Sequence, residues 1–191
     1  MNAIADFFDT LADRWDELCF HDPEKINYIL EQSGLHSGMH ILDVGCGTGI
    51  LESYILPHAP DKIVAVDISP QMIRLARIKY QTPIADFRCM NILDLTDEQF
   101  DYIIVYSAFP HFEHPEMLIG HLADICKSGG KLIICHSEGR EQINGHHDKQ
   151  AGKISFPLPE SGEMISMMSN YFSIDHSEDT DRLYMVCGTR H

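Results

Sequence analysis

Ile41-Leu42-Asp43-Val44-Gly45-Cys46-Gly47-Thr48-Gly49 joins a buried-strand pattern directly to a backbone loop almost bare of side chains. Ile41, Leu42 and Val44 suit a parallel strand covered on both faces. Gly45, Gly47 and Gly49 permit a tight turn and close ligand approach before a helix begins near Ile50. The glycines fall as G-x-G-x-G, with Ile50 where a dinucleotide fingerprint has its last glycine, so NAD is disfavoured. No Gly-Lys-Ser or Gly-Lys-Thr follows, which argues against a P-loop. Asp43, two residues ahead of Gly45, would repel a pyrophosphate, yet it suits the amino group of a cationic ligand, held directly or through water. The loop reads as a corner for a cationic nucleoside.

The next apolar run, Ile63-Val64-Ala65-Val66, ends in Asp67. The interval from Gly49 to Asp67 matches a helix returning to start the neighbouring strand, and a carboxylate there can accept both hydroxyls of a ribose. Asp67 also suits a helix cap ahead of Ser69-Pro70; both roles are filled if Ser69 caps and Asp67 binds.

With these residues in place the chain resembles the class I S-adenosylmethionine-dependent methyltransferases, in particular the small-molecule branch related to ubiquinone and menaquinone biosynthesis. The resemblance spans about Asp9 to Lys131. It rests on Leu42–Gly49, Val66-Asp67-Ile68-Ser69-Pro70-Gln71-Met72, Phe100-Asp101-Tyr102-Ile103-Ile104 and a turn at Ser128-Gly129-Gly130-Lys131. It implies S-adenosyl-L-methionine as cofactor and S-adenosyl-L-homocysteine as product. Asp43, Gly45, Cys46, Gly47 and Gly49 would then lie along the methionine part, Asp67 at the ribose, and Ile68 and Met72 beside the adenine. Relatives carry Gly-Asp where this chain has Met90-Asn91-Ile92; the Asn91 carbonyl still accepts from the adenine amino group, with Ile92 alongside.

Strands are expected near 40–45, 62–67, 84–89, 100–106 and 131–136, separated by helical or turn segments, which predicts right-handed crossovers into a parallel sheet. Tyr171–Ile174 and Leu183–Val186, separated by the polar turn Ser177–Asp181, predict a hairpin that adds one antiparallel strand. The fold class is therefore α/β, Rossmann-like and doubly wound. Its sheet has seven mostly parallel strands, with one antiparallel strand in a C-terminal hairpin. Ile4, Phe7, Phe8, Leu11, Trp15 and Leu18 recur at helical spacing, and residues 1–35 are expected to cover the cofactor. A second helix starts at Asp22-Pro23 and stops at Gly34.

At 191 residues and 44% hydrophobic content, the chain is expected to form a single domain. Its six cysteines lack C-x-x-C spacing and several sit in apolar strands; with no basic-then-apolar leader and no membrane-length apolar run, a soluble cytoplasmic protein is expected. A net charge of −15 repels phosphate backbones, and Tyr106-Ser107-Ala108-Phe109-Pro110 stands where base-amino methyltransferases carry Asn/Asp-Pro-Pro-Tyr. The expected partner is a small molecule, with no nucleic acid and no membrane. Oligomeric state stays open.

In open α/β sheets ligands bind beyond the carboxyl ends of the strands. Tyr106 and His111, just past the fourth strand, are the candidates for contact with the reacting atoms. His21, His136, Arg140 and His147 are candidate substrate residues. Any one histidine reads first as an ordinary loop residue, with general bases and metal ligands assembled from distant segments as the competing readings. Residues 137–158 are polar; a helix there would align Arg140, Asn144 and His147 as a substrate lid able to read a carboxylate or phosphate. The leading reading is an enzyme that methylates a small molecule by in-line displacement in a desolvated cleft. The alternative is a non-catalytic cofactor-binding or metal-handling protein on the same scaffold, and aminopropyl transfer has nothing in its favour.

Overall fold

The computed structural model describes residues 3–150 and 155–191, except the side chains of 146–150. Chain order runs α1 (Ala3–Leu11), α2 (Trp15–Leu18), α3 (Pro23–Gln32), β1 (His40–Val44), α4 (Glu52–Ile55), β2 (Lys62–Asp67), α5 (Pro70–Lys79), β3 (Ala85–Cys89) and β4 (Phe100–Tyr106). It continues with α6 (Pro115–Asp124), β5 (Cys126–His136), α7 (Arg140–Gln150), α8 (Ser161–Met168), β6 (Phe172–Asp179) and β7 (Tyr184–Arg190). The seven strands form one sheet in the order β3-β2-β1-β4-β5-β7-β6. The pairs among β1 to β5 are parallel, and β7 runs antiparallel to both β5 and β6. The expected doubly wound architecture is the one observed.

Strand alternation divides the core in two. Leu42, Val44, Val64, Val66, Ile103, Val105 and Leu132 face α6 and α8. Ile41, Ile63, Ala65, Ile104 and Ile133 face α3, α4 and α5. These side chains are almost wholly buried, and each large aliphatic among them contributes about 1.5–3 kcal/mol of hydrophobic stabilisation. The chain order reverses between β1 and β4, so the loops after both strands open onto one crevice.

Local signals act as expected in α3 and α5. The Asp22 carboxylate accepts from Glu24 N at 3.0 Å ahead of Pro23, and Gly34 takes φ +77° past the last turn. Ser69 Oγ accepts from Met72 N at 3.1 Å and so caps α5.

Three expectations need correction. The N-terminal segment is not one continuous helix: a 3-10 turn at Ala12–Arg14 separates α1 from α2. Neither helix buries a residue, so polar pins set its path rather than a packed stripe. Ser177–Asp179 belongs to β6, and the hairpin reverses around Thr180, whose N donates to Leu183 O at 3.0 Å. An edge strand with one wet face carries polar residues without turning. Ser128-Gly129-Gly130 lies within β5, where pairing with β4 jumps from Phe100↔Cys126 to Tyr102↔Lys131 and Gly129 takes φ +79°.

Candidate functional site

The loops after β1, β2, β3 and β4 converge with the N-terminal segment on a cavity of about 320 Å³. Gly45, Cys46 and Gly47 form one wall, Asp67, Ile68 and Met72 the next, and Asn91 and Ile92 follow. Tyr106, Ser107, Ala108 and His111 close the β4 side, while Phe8, Trp15 and His21 arrive from the N-terminal segment. A Cβ on Gly45 would sit 2.6 Å from the Ala108 Cβ, and one on Gly47 would sit 3.5 Å from the indole Nε1 of Trp15. Bare backbone is therefore what keeps this side of the cavity open, as a nucleoside cradle requires.

Asp67 stands at the cavity wall. Its Oδ2 accepts from Gly47 N at 2.9 Å and its Oδ1 from Ser69 N at 2.8 Å, which fixes the carboxylate at the cavity wall. Each oxygen retains acceptor capacity for a sugar hydroxyl. Burial raises its pKa, and the Ser69 and Gly47 amides pull the other way. Asn91 Oδ1 accepts from Leu93 N at 3.1 Å, so one of its lone pairs already caps the turn at Ile92–Asp94.

Asp43 and Gly49 do not line the cavity. Asp43 is buried behind the loop, and burial together with the charges of Glu52 and Asp67 raises its pKa well above the ordinary carboxylate value. Glu52 is fully buried there, and burial pushes its pKa up to about 7. Among the described residues, Asp43 Oδ2 and both Glu52 carboxylate oxygens lack a hydrogen-bond partner. A Cβ on Gly49 would meet the Tyr80 ring at 2.9 Å and Glu52 Oε2 at 3.1 Å, so this glycine makes room for the core instead of a ligand.

The outer wall hangs on polar pins. Asp9 Oδ1 accepts from Ser69 Oγ at 2.5 Å and from Gln71 N at 3.1 Å; Asp13 pairs with Arg74 and Asp16 with Lys79. Phe8 packs edge-to-face on Trp15 and on His111, with centroid separations of 5.4 and 4.9 Å. His21 Nδ1 and Tyr106 Oη are 2.9 Å apart, and Tyr106 Oη donates to Ser137 Oγ at 2.9 Å. Burial raises the Tyr106 pKa further above its usual value and lowers that of His21.

Other substrate candidates stand elsewhere. His136 is buried against Tyr184, with ring centroids 6.3 Å apart, and does not line the cavity. Arg140 lies 3.6 Å from Glu160 and 3.5 Å from Asp179, so these carboxylates engage it away from the cavity. Asn144 clasps the backbone of Leu158 instead of sharing a ligand face with Arg140, donating to its O at 3.2 Å and accepting from its N at 2.7 Å. The side chain of His147 and residues 151–154 of the expected lid lie outside the described residues. Sequence reasoning missed Glu52, whose place in a first helical turn reads as an ordinary dipole partner. It also missed Ser107, whose φ of +53° directs Ala108 toward Gly45 and carries no sequence signal. Among the described residues no group of three or more His, Cys, Asp or Glu side chains could hold a metal ion, and no helix is long and apolar enough to cross a membrane.

A cavity lined by a glycine loop and a hydrogen-bonded carboxylate thus lies at the switch point, where open α/β sheets take their ligands. Residues 42–134 match the methyltransferase domain family, and the chain belongs to the class I S-adenosylmethionine-dependent methyltransferases. It is 32% identical over 141 residues to the ubiquinone biosynthesis O-methyltransferase of Coxiella burnetii, an alignment covering 69% of this chain and 59% of that protein. The chain thus spans well under two thirds of that relative. Among solved structures, a chain of the complex between the Haloferax volcanii Trm112 methyltransferase activator and a methyltransferase superposes with TM-score 0.85 at 17% identity, covering 98% of this chain and 97% of that one. The N-methyltransferase NodS of Bradyrhizobium japonicum with bound S-adenosyl-L-homocysteine gives TM-score 0.76 at 16% identity, covering 99% of both chains.

Proposed function

We propose that this protein transfers the methyl group of S-adenosylmethionine to a small-molecule acceptor in the cavity between the glycine loop and the β4 loop. The observation that carries the reading is the meeting, on one cavity, of the Gly45–Gly47 cradle, Asp67, and the titratable groups Tyr106, His111 and His21. Bound there, S-adenosylmethionine supplies an electrophilic methyl on a sulfonium. Asp67 would hold the ribose hydroxyls, the Gly45–Gly47 backbone would pass along the methionine part, and Ile68, Met72 and Ile92 would flank the adenine. Phe8 and Trp15 exclude water from that side, and excluding water while aligning the nucleophile supplies most of the acceleration in such a displacement. Tyr106, His111, His114, His21 and Glu113 are among the groups on the wall able to take or hold an acceptor proton. The O-methyltransferase name of the Coxiella burnetii relative supports an oxygen acceptor.

Calorimetric titration with S-adenosylmethionine and S-adenosylhomocysteine tests the cofactor half. Release of S-adenosylhomocysteine from pools of hydroxylated small molecules tests turnover. Binding of the two nucleosides with release on addition of one pool is the expected result; absence of binding refutes the reading.

A further inference from the structure

We propose that cofactor binding in this protein is coupled to the loss of a proton from a buried acid pair, Asp43 and Glu52, on the inner side of the glycine loop. The cationic amino end of the nucleoside drives that proton out, so Glu52 makes cofactor affinity depend on pH. The inference rests on the methyltransferase reading above and adds its regulation.

The pair is sealed in without donors. Asp43 is 2% exposed and Glu52 0%, and Asp43 Oδ2 and both Glu52 carboxylate oxygens have no hydrogen-bond partner among the described residues. Glu52 lies directly against the loop, since a Cβ on Gly49 would come within 3.1 Å of its Oε2. The loop amides are engaged elsewhere. Gly45 N and Cys46 N donate to Val66 O at 2.8 and 3.1 Å, Gly47 N donates to Asp67 Oδ2 at 2.9 Å, and Gly49 N donates to Cys46 O at 2.9 Å. The nearby ammonium is committed too: Lys79 Nζ donates to Asp16 Oδ2 at 2.7 Å and to Thr48 Oγ1 at 3.3 Å. Two buried carboxylates with no counter-charge between them do not both ionise, so the pair keeps a proton.

Neighbouring groups set when that proton leaves. Burial, then the charges of Glu52 and Asp67, raises the Asp43 pKa well above the ordinary carboxylate value. Burial pushes Glu52 up to about 7, against the pull of its own main-chain N–H and of Lys79. Asp16, despite its burial, is held below its usual range by Lys79 and Thr48 and stays ionised. The thiols of Cys46 in the loop and Cys135 on β5, and the phenols of Tyr80 after α5 and Tyr102 on β4, are pushed upward by burial and stay neutral.

The position of the pair turns its proton into a sensor of the cofactor. An amino acid end lying along Gly45–Gly47 brings an ammonium to the opposite side of one layer of backbone. An opposite charge within about 4–6 Å lowers a carboxyl pKa by about one unit or more. A fall of one unit in Glu52 releases about 0.4 proton at pH 7, the carboxylic acid becoming a carboxylate and the proton passing to the buffer. The same fall makes the nucleoside bind about fivefold more tightly at pH 8 than at pH 6, because ligand and proton weaken each other reciprocally.

Calorimetry of S-adenosylhomocysteine binding at pH 7 in phosphate and in Tris, whose ionisation enthalpies differ, counts the proton. Wild type should release about 0.4 proton per site and show the fivefold change in affinity. Glu52→Gln should still bind, with most of the release and most of the pH dependence gone. 5′-Methylthioadenosine, which keeps the nucleoside and lacks the amino acid end, should bind wild type without the release. That comparison separates the acid pair from His21, His111 and His114, which line the cavity and meet both ligands. In wild type alone, infrared difference spectra should show a protonated-carboxyl band lost as S-adenosylhomocysteine binds, a readout that needs no variant to fold. The inference is overturned if wild type releases no proton or keeps that band, if Glu52→Gln releases as much as wild type, or if 5′-methylthioadenosine releases as much as S-adenosylhomocysteine. If S-adenosylhomocysteine fails to bind wild type, the methyltransferase reading falls; binding without proton release overturns this inference alone.

Discussion

Replacing Gly45 by alanine tests the cradle most sharply. The residue takes φ +74°, where an L side chain costs about 1–2 kcal/mol. The new Cβ would lie 2.6 Å from the Ala108 Cβ, roughly 1 Å inside ordinary carbon contact, so one of the two loops must retreat. Overpacking of this kind costs about 1–3 kcal/mol more. Together the penalty is about 2–5 kcal/mol, divided between lowered stability and a cavity whose β1 and β4 walls no longer match the ligand. Gly34→Ala is the control: φ is +77° and nothing lies within 4 Å of the new Cβ, so only the backbone cost applies, far from the cavity. Calorimetric titration with S-adenosylhomocysteine, paired with urea unfolding, separates the two effects. Gly45→Ala should weaken binding by tenfold or more, a loss of at least about 1.4 kcal/mol, and Gly34→Ala should lower stability with affinity intact. Equal affinity in Gly45→Ala and wild type would refute the reasoning.

Asp67→Asn replaces one anionic acceptor oxygen by an amide nitrogen and forfeits either the Gly47 or the Ser69 N–H bond; a loss of about 1.5–3 kcal/mol, or roughly tenfold to 150-fold in S-adenosylhomocysteine affinity, should appear by calorimetry. Glu52 ionises near 7 in the folded chain against 4.5 ordinarily, so its contribution to stability is intact below 4.5 and falls as pH rises toward 7. Glu52→Gln should therefore gain on wild type in urea unfolding at pH 8 compared with pH 5, and an equal difference at both would contradict the burial account. Arg140→Ala removes two ion pairs outside the cavity; stability should drop by no more than about 1 kcal/mol while S-adenosylhomocysteine affinity holds, and a large affinity loss would restore the lid reading.

The parts legible in the sequence were those where local chemistry and tertiary role coincide. Ile41–Gly49 announces both a strand covered on two faces and a bare turn, because neither conformation admits many other residues. Asp22-Pro23 and Gly34 bound α3 through capping that owes nothing to the rest of the fold. The contact of His21, Tyr106 and Ser137 is different in kind. His21, Tyr106 and Ser137 lie far apart in the chain and meet only because the parallel sheet brings the ends of β4 and β5 beside the approach to α3. Arg140 illustrates the opposite error, since helical spacing put it on a face with Asn144 but said nothing of Glu160 and Asp179 waiting opposite. Ser177–Asp179 looked like a turn because an edge strand with one wet face has the composition of one. Glu52 was hidden by its ordinary helical setting; only the packing of Gly49 and Tyr80 reveals that it is sealed in.

The central claim is that the backbone at Gly45–Gly47 and the carboxylate of Asp67 together hold S-adenosylmethionine. A crystal structure with S-adenosylhomocysteine bound tests it most directly. The account predicts both ribose hydroxyls hydrogen-bonded to Asp67, with the homocysteine chain lying along Gly45–Gly47. A nucleoside seated elsewhere, or one in this cavity with its sugar turned away from Asp67, would contradict it.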